Sequence, residues 1–204
     1  MSGASGSRIG RLARDERLAR RVGFWWGLAE GVAFFIVPDV YISFATVFSL
    51  RAGGIAWLAS IAGSLVAILV IRVLTSVPGL DYLAFLERVP GISAAMIQGV
   101  TDALAGGGLP YTSLLVLGGV PLKVYAAIAC SLGLPLVALL LWTAFARVVR
   151  IAPTFLLAGA ARLLFRRRID AHPAACSAVL VVWWVGFYVF YFARMSHLAN
   201  PAFP

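Results

Sequence analysis

Of the 204 residues, 62% are hydrophobic and 12% carry a charged side chain, yet the net charge is +9. A soluble domain carries about twice that charged fraction, which excludes a water-soluble globule. The two cysteines, Cys130 and Cys176, lie inside apolar runs and read as buried thiols, which excludes a disulfide scaffold; the charges sit at the ends of apolar segments, where membrane topology puts them, which argues against a nucleic-acid partner.

Residues 1–23 carry Arg8, Arg11, Arg14, Arg17, Arg20 and Arg21 against Asp15 and Glu16. Spaced mostly by three, they form a basic stripe on a helix. This is either a solvated cytoplasmic arm that sets orientation or an interfacial helix on anionic headgroups. It does not read as a cleavable signal, because the apolar stretch after it contains Glu30, Pro38 and Asp39 and has no small-residue cleavage site.

Residues 24–50 are long enough for one spanning helix, but Pro38-Asp39 falls near the middle. Proline removes a backbone donor and disfavours helical geometry at Val37, and a carboxylate in hydrocarbon is costly unless paired or wet. Two half-helices, 25–37 and 40–48, meeting in a re-entrant turn account for both features. Irregular backbone at that depth must face protein or water, so the segment should line a cavity. A membrane helix, 54–75, follows. The polar stretch 76–101 carries Arg88 against Asp81 and Glu87. Asp102 reads as an exposed loop residue and Gly106-Gly107-Gly108 as a flexible link.

Residues 110–132 repeat the pattern of the first broken segment. Gly118, Gly119 and Pro121 interrupt the run, and Lys123 stands where the first segment has Asp39. Val37-Pro38-Asp39-Val40-Tyr41 matches Val120-Pro121-Leu122-Lys123-Val124-Tyr125 with one inserted residue. A helix at 134–145 follows. Paired proline-broken segments in two halves point to an inverted repeat with a site at the repeat interface. The second basic block, Arg147, Arg150, Arg162, Arg166, Arg167 and Arg168, predicts a cytoplasmic 147–170 alongside a cytoplasmic N-terminus, with 76–101 on the other side. Within it, 151–165 is apolar but short and begins near Pro153, so it either spans poorly or lies at the interface. The last span, 173–195, crowds Trp183, Trp184, Phe187, Tyr188, Phe190, Tyr191 and Phe192 into its second half, expected to be a lipid-facing and interfacial belt.

The fold expected is thus an all-α integral membrane protein with two re-entrant helical hairpins, 24–50 and 110–132, in an inverted repeat plus transmembrane helices. The basic arm is 1–23, the membrane domain 24–169, and 173–195 an additional helix. Candidate substrate- or proton-binding residues are Glu30, Asp39, Lys123, Arg147 and Arg150. Pro38, Gly119 and Pro121 are the structural breaks. Asp39 and Lys123 would relieve each other's desolvation at apposed hairpin tips. Arg72, Arg150 and Arg194, near helix ends, are of the kind that snorkel to headgroups. Lys123 and Arg147 suit phosphate, Arg as a bidentate partner and Lys as a point charge. Membrane lipids, with phosphate headgroups, are the natural partners. No catalytic, metal or cofactor motif is present, so neither an enzyme nor a cofactor is expected; His172 and His197 flank the last span.

At these residues the chain resembles the DedA family, also called the SNARE-associated or VTT-domain family, and its YqaA-like branch. The resemblance is carried by Glu30 with Phe35-Ile36-Val37-Pro38-Asp39-Val40, by Ala62-Gly63-Ser64, by Gly119-Val120-Pro121-Leu122-Lys123-Val124-Tyr125, and by Phe145-Ala146-Arg147-Val148-Val149-Arg150, in that order. The family's Gly-x-x-x-Tyr-x-x-Gly-Arg is replaced by Ala67-Ile68-Leu69-Val70-Ile71-Arg72, and 173–195 lies outside the resemblance. The resemblance implies a multi-pass inner (plasma) membrane protein of envelope homeostasis. It would move or scramble a lipid or lipid-phosphate carrier, such as polyprenyl-phosphate or a phospholipid, with proton coupling. Two other readings stay open: a non-transporting membrane scaffold that binds partners, and a small ion or drug exchanger using Glu30 and Asp39.

Overall fold

The computed structural model describes residue 8 and residues 10–112 and 120–199. Among these, all regular structure is helical. The elements are α1 (Glu16–Val32), α2 (Asp39–Phe48), α3 (Leu50–Leu74), α4 (Tyr82–Leu86), α5 (Ala94–Thr112), α6 (Leu122–Ser131), α7 (Leu136–Ala171) and α8 (Pro173–Ala199). Three are long and apolar enough to cross a membrane: α3, α7 and the Pro173–Arg194 part of α8. The chain is a membrane protein.

Polar caps start four of the helices, among them α5, where the Ser93 hydroxyl accepts from the Met96 amide at 3.2 Å. The Asp15 carboxylate accepts from the Arg17 and Leu18 amides at the start of α1, Ser49 accepts from Ala52 at the start of α3, and Asp81 from Ala84 at the start of α4. Each satisfies a backbone donor that the first turn leaves open. α2 and α6 instead begin directly after a proline, Pro38 and Pro121, whose fixed φ and missing N–H suit that position.

α1 and α3 pack through small residues. Gly23, Gly27 and Gly31 recur every fourth residue along α1, and a Cβ at each would run into Ala56, Ser60 and Ala67 of α3. Gly63 of α3 in turn lies against the backbone of Phe24 and Leu28. Such stripes let helix backbones approach in lipid, where apolar burial alone gives little drive. The register rises together on the two helices, so they run parallel. Glu16 and Arg51 close an ion pair of 3.0 Å where both begin. Parallel neighbours joined by a ten-residue helix require α2 to run back between them.

α7 covers 36 residues, with Pro153 inside it and a kink at Phe165 (φ −113°, ψ 19°), where two helical stretches join. The expected separate segments 134–145 and 151–165 are therefore one element; proline in a lipid-phase helix is tolerated when neighbouring groups satisfy the freed carbonyl. Arg147 is 2% exposed inside this helix, so it does not belong to a basic loop. The arginines at its far end do meet the N-terminal arm. Arg14 bonds Asp170 at 2.5 Å and Arg162 bonds it at 2.8 Å. This charged end also holds the starts of α1 and α3, so α7 runs antiparallel to α3.

Other expectations need revision. The first break occupies 33–38, so α1 ends at Val32 and not Val37. Asp102 is exposed but sits on α5, accepting from Gln98 at 2.8 Å. Gly108, at φ 68°, interrupts α5 in a left-handed conformation that favours glycine. Arg72 does not reach for headgroups: its guanidinium donates to the Cys130 carbonyl at 3.0 Å, near the end of α6. Cys130 is buried but Cys176 is only half-buried. Gly118 and Gly119 lie outside the described residues.

Candidate functional site

The turn 33–38 has backbone groups that no helix can pair, and side chains from four elements pair them. Tyr82 of α4 donates to the Val32 carbonyl at 2.5 Å, and Lys123 of α6 donates to the Phe34 carbonyl at 3.1 Å. Trp26 of α1 donates to the Ile36 carbonyl at 2.9 Å. The Val37 amide donates to the Tyr188 hydroxyl of α8 at 2.8 Å. Orphan backbone groups in apolar surroundings cost free energy comparable to a lost hydrogen bond, and these four ties hold the turn in place. Tyr82 lies outside the spans, and burial pushes its phenol well above the usual range.

Glu30, Lys123 and Arg147 form a buried triad beside this turn. Glu30 is 3% exposed; it pairs with Arg147 through one oxygen and faces the Lys123 ammonium at 4.0 Å through the other. The expected partnership of Asp39 with Lys123 is not what the structure contains. Asp39 accepts from the Thr154 hydroxyl at 2.8 Å and lies 3.8 Å from Arg150, while Lys123 is taken up by Glu30 and the Phe34 carbonyl. The reason is helix direction. Both half-helices start at the site, so α6 lays Lys123 over the end of α1, and α7 passes Arg147 to α1 and Arg150 to α2.

Glu30, Lys123, Arg147 and Arg150 line a cavity of about 160 Å³, which also has Val37, Val120 and Pro121 in its wall. With Asp39 behind Arg150, three cations stand against two carboxylates. Two buried atoms of this set, Arg147 Nε and Asp39 Oδ2, have no hydrogen-bond partner among the described residues. The amino-terminal ends of α2 and α6 both face this place, and a helix start carries a partial positive charge. The electrostatics favour an anion with several oxygens.

Four aromatic side chains of α8, Phe187, Tyr188, Tyr191 and Phe192, close the cavity on its remaining side. The expected lipid belt is only part of the story: Trp183 and Phe190 are 69% and 66% exposed, whereas the other face covers the site. Trp184 also reaches inward, donating to the Ser43 hydroxyl at 2.9 Å. The alternation of faces at 183, 184, 187, 188, 190, 191 and 192 is readable as helical spacing, but not which stripe meets protein. Sequence reasoning also missed Tyr82, Thr154 and the glycine stripe of α1; the four-residue spacing was the available signal for the last. Among the described residues no group of three or more His, Cys, Asp or Glu could hold a metal ion.

No protein-family description, curated protein or solved structure matches this chain.

Proposed function

We propose that this protein is a membrane transporter of the DedA type that carries a lipid phosphate group through the cavity between its two broken segments. The observation carrying this reading is the set of three cations, buried Lys123 and Arg147 with the partly exposed Arg150, against the two carboxylates Glu30 and Asp39 at the start of two half-helices. A lipid phosphate offers the oxygens that Arg147 Nε lacks, and its charge offsets the surplus.

The re-entrant reading is supported by the register. α1 turns at the level of Ala67 while α3 continues to Leu74, roughly 10 Å further at 1.5 Å per residue. The inverted-repeat reading is supported by direction and length. α2 and α6 are each ten residues long and leave the site toward opposite ends, one reaching Ser49 at the charged end and the other reaching the Arg72 end. Each is followed by a long apolar helix, and these two helices are antiparallel. Transporters built this way place their site where discontinuous helices meet. The arginine-rich end that joins the arm to α7 is cytoplasmic under the positive-inside rule, the orientation expected of an inner (plasma) membrane protein.

The test is purified protein in vesicles containing a fluorescent lipid monophosphate, with and without a pH gradient. Faster transbilayer movement than in protein-free vesicles, lost in Arg147→Met, is expected. Equal rates would favour a scaffold that binds partners without transport.

A further inference from the structure

Beside the charged cavity runs a second, larger space. It is a groove of about 750 Å³ between α8 and the α1–α2 hairpin, lined on one side by Trp26 and Phe44 and on the other by Leu180, Trp184 and Val185. None of its lining residues is charged. Phe35, Tyr188 and Phe192 belong to the walls of both spaces, so the apolar groove opens onto the cationic cavity across these three rings.

The groove has the dimensions of one leaflet. From Phe192 to Leu180 α8 climbs about 18 Å, against about 15 Å for half of a typical hydrocarbon core. Its outer wall is lightly seated. No residue in the apolar stretch of α8 is buried, and the hydrogen bonds Trp184 to Ser43 and Val37 to Tyr188, with the Phe35–Phe192 ring contact, hold it to the hairpin.

We infer that the groove is a tail site for a phosphomonoester lipid, with the hydrocarbon chain lying between α8 and α2 and the phosphate among Lys123, Arg147 and Arg150. This rests on the transport reading above and adds where the lipid enters: sideways, past Tyr188 and Phe192. Charge complementarity selects the occupant. A chain alone would leave the surplus cations unanswered, a zwitterionic choline headgroup brings a compensating cation that the cavity does not need, and a phosphomonoester brings only anionic charge.

The test uses the full chain with a photoreactive benzoylphenylalanine in place of Val185, in the groove, or of Val182, which is 71% exposed and outside it. Each is reconstituted in phosphatidylcholine vesicles doped with tritiated phosphatidic acid or, at equal fraction, tritiated phosphatidylcholine. The expected result is a several-fold preference for phosphatidic acid at position 185, none at 182, and loss of the preference at 185 when Arg150→Gln is added. Arg150 is suited to this because its side chain is 28% exposed, so the exchange disturbs folding less than one in the buried triad; unchanged elution as a single species checks this. Equal labelling by both lipids at 185, or a preference that survives Arg150→Gln, overturns the tail site. Lipid movement in the vesicle assay without this preference would leave transport standing and remove the groove. The preference without movement would keep the groove and remove transport.

Discussion

Glu30 accepts from Arg147 and faces Lys123 with all three side chains almost wholly inside the protein. Breaking one partner of a buried pair leaves an uncompensated charge, at about 3–5 kcal/mol. Glu30→Gln and Arg147→Met should each lower thermal stability in detergent by an amount of that order. The double variant should remain destabilised, because Lys123 still faces no carboxylate, and transport should stay absent, because the cation that meets the phosphate is gone. Asp39→Asn is expected to cost less, about 1 kcal/mol, since the amide still accepts from Thr154 and only the 3.8 Å approach to Arg150 weakens. A cycle of Asp39→Asn with Lys123→Met should then be additive, because the two share no partner, whereas Glu30→Gln with Lys123→Met should not. The five charged residues were legible as a group because charges inside apolar runs are rare and costly. Their pairing was not, because it depends on which way α6 and α7 run past α1, and spacing along the chain carries no such information.

At the scale of elements, α1 against α3 is the interface most sensitive to a single methyl group. A side chain at Gly27 would collide with the Ser60 backbone, so Gly27→Val should displace α1 and abolish a monodisperse detergent-solubilised species. Gly54 on the outer surface of α3 has nothing within 4 Å of an added Cβ, and Gly54→Ala should raise stability by about 0.5–1 kcal/mol through helix propensity. Tyr82 ties α4 to the end of α1 through the Val32 carbonyl. Its neutral form is favoured in the folded protein, so its contribution is full below about pH 10 and is lost as pH rises beyond that. Tyr82→Phe should cost about 1–3 kcal/mol at neutral pH and flatten the alkaline decline in melting temperature. The two proline breaks were visible in the sequence because proline restricts the backbone locally. The continuity of α7 was not: Pro153 reads as a stop, yet in apolar surroundings the alternative to helix is unsatisfied backbone, and the helix persists.

At the scale of the whole molecule, ion pairs gather several elements at one charged end. Glu16 with Arg51 brings the starts of α1 and α3 together, and Asp170 with Arg14 adds the end of α7 and the arm. Hydropathy alone reads 24–50 as equally compatible with a full crossing, since its length is sufficient; the re-entrant reading proposed above is supported by the parallel register of α1 and α3. Single cysteines at Arg17, Arg51 and Arg167, in a background where Cys130 and Cys176 are replaced, should therefore all react with an impermeant maleimide from one side of the membrane. A cysteine at Glu87, beyond the far end of α3, should react from the other. The result that breaks this architecture is labelling of positions 17 and 51 from opposite sides. α1 and α2 would then be a single ordinary span, α2 could not run back beside α1, and its start could not face that of α6. Without those two facing helix starts, the surplus cations would be a structural knot between helices and not a place for a phosphate.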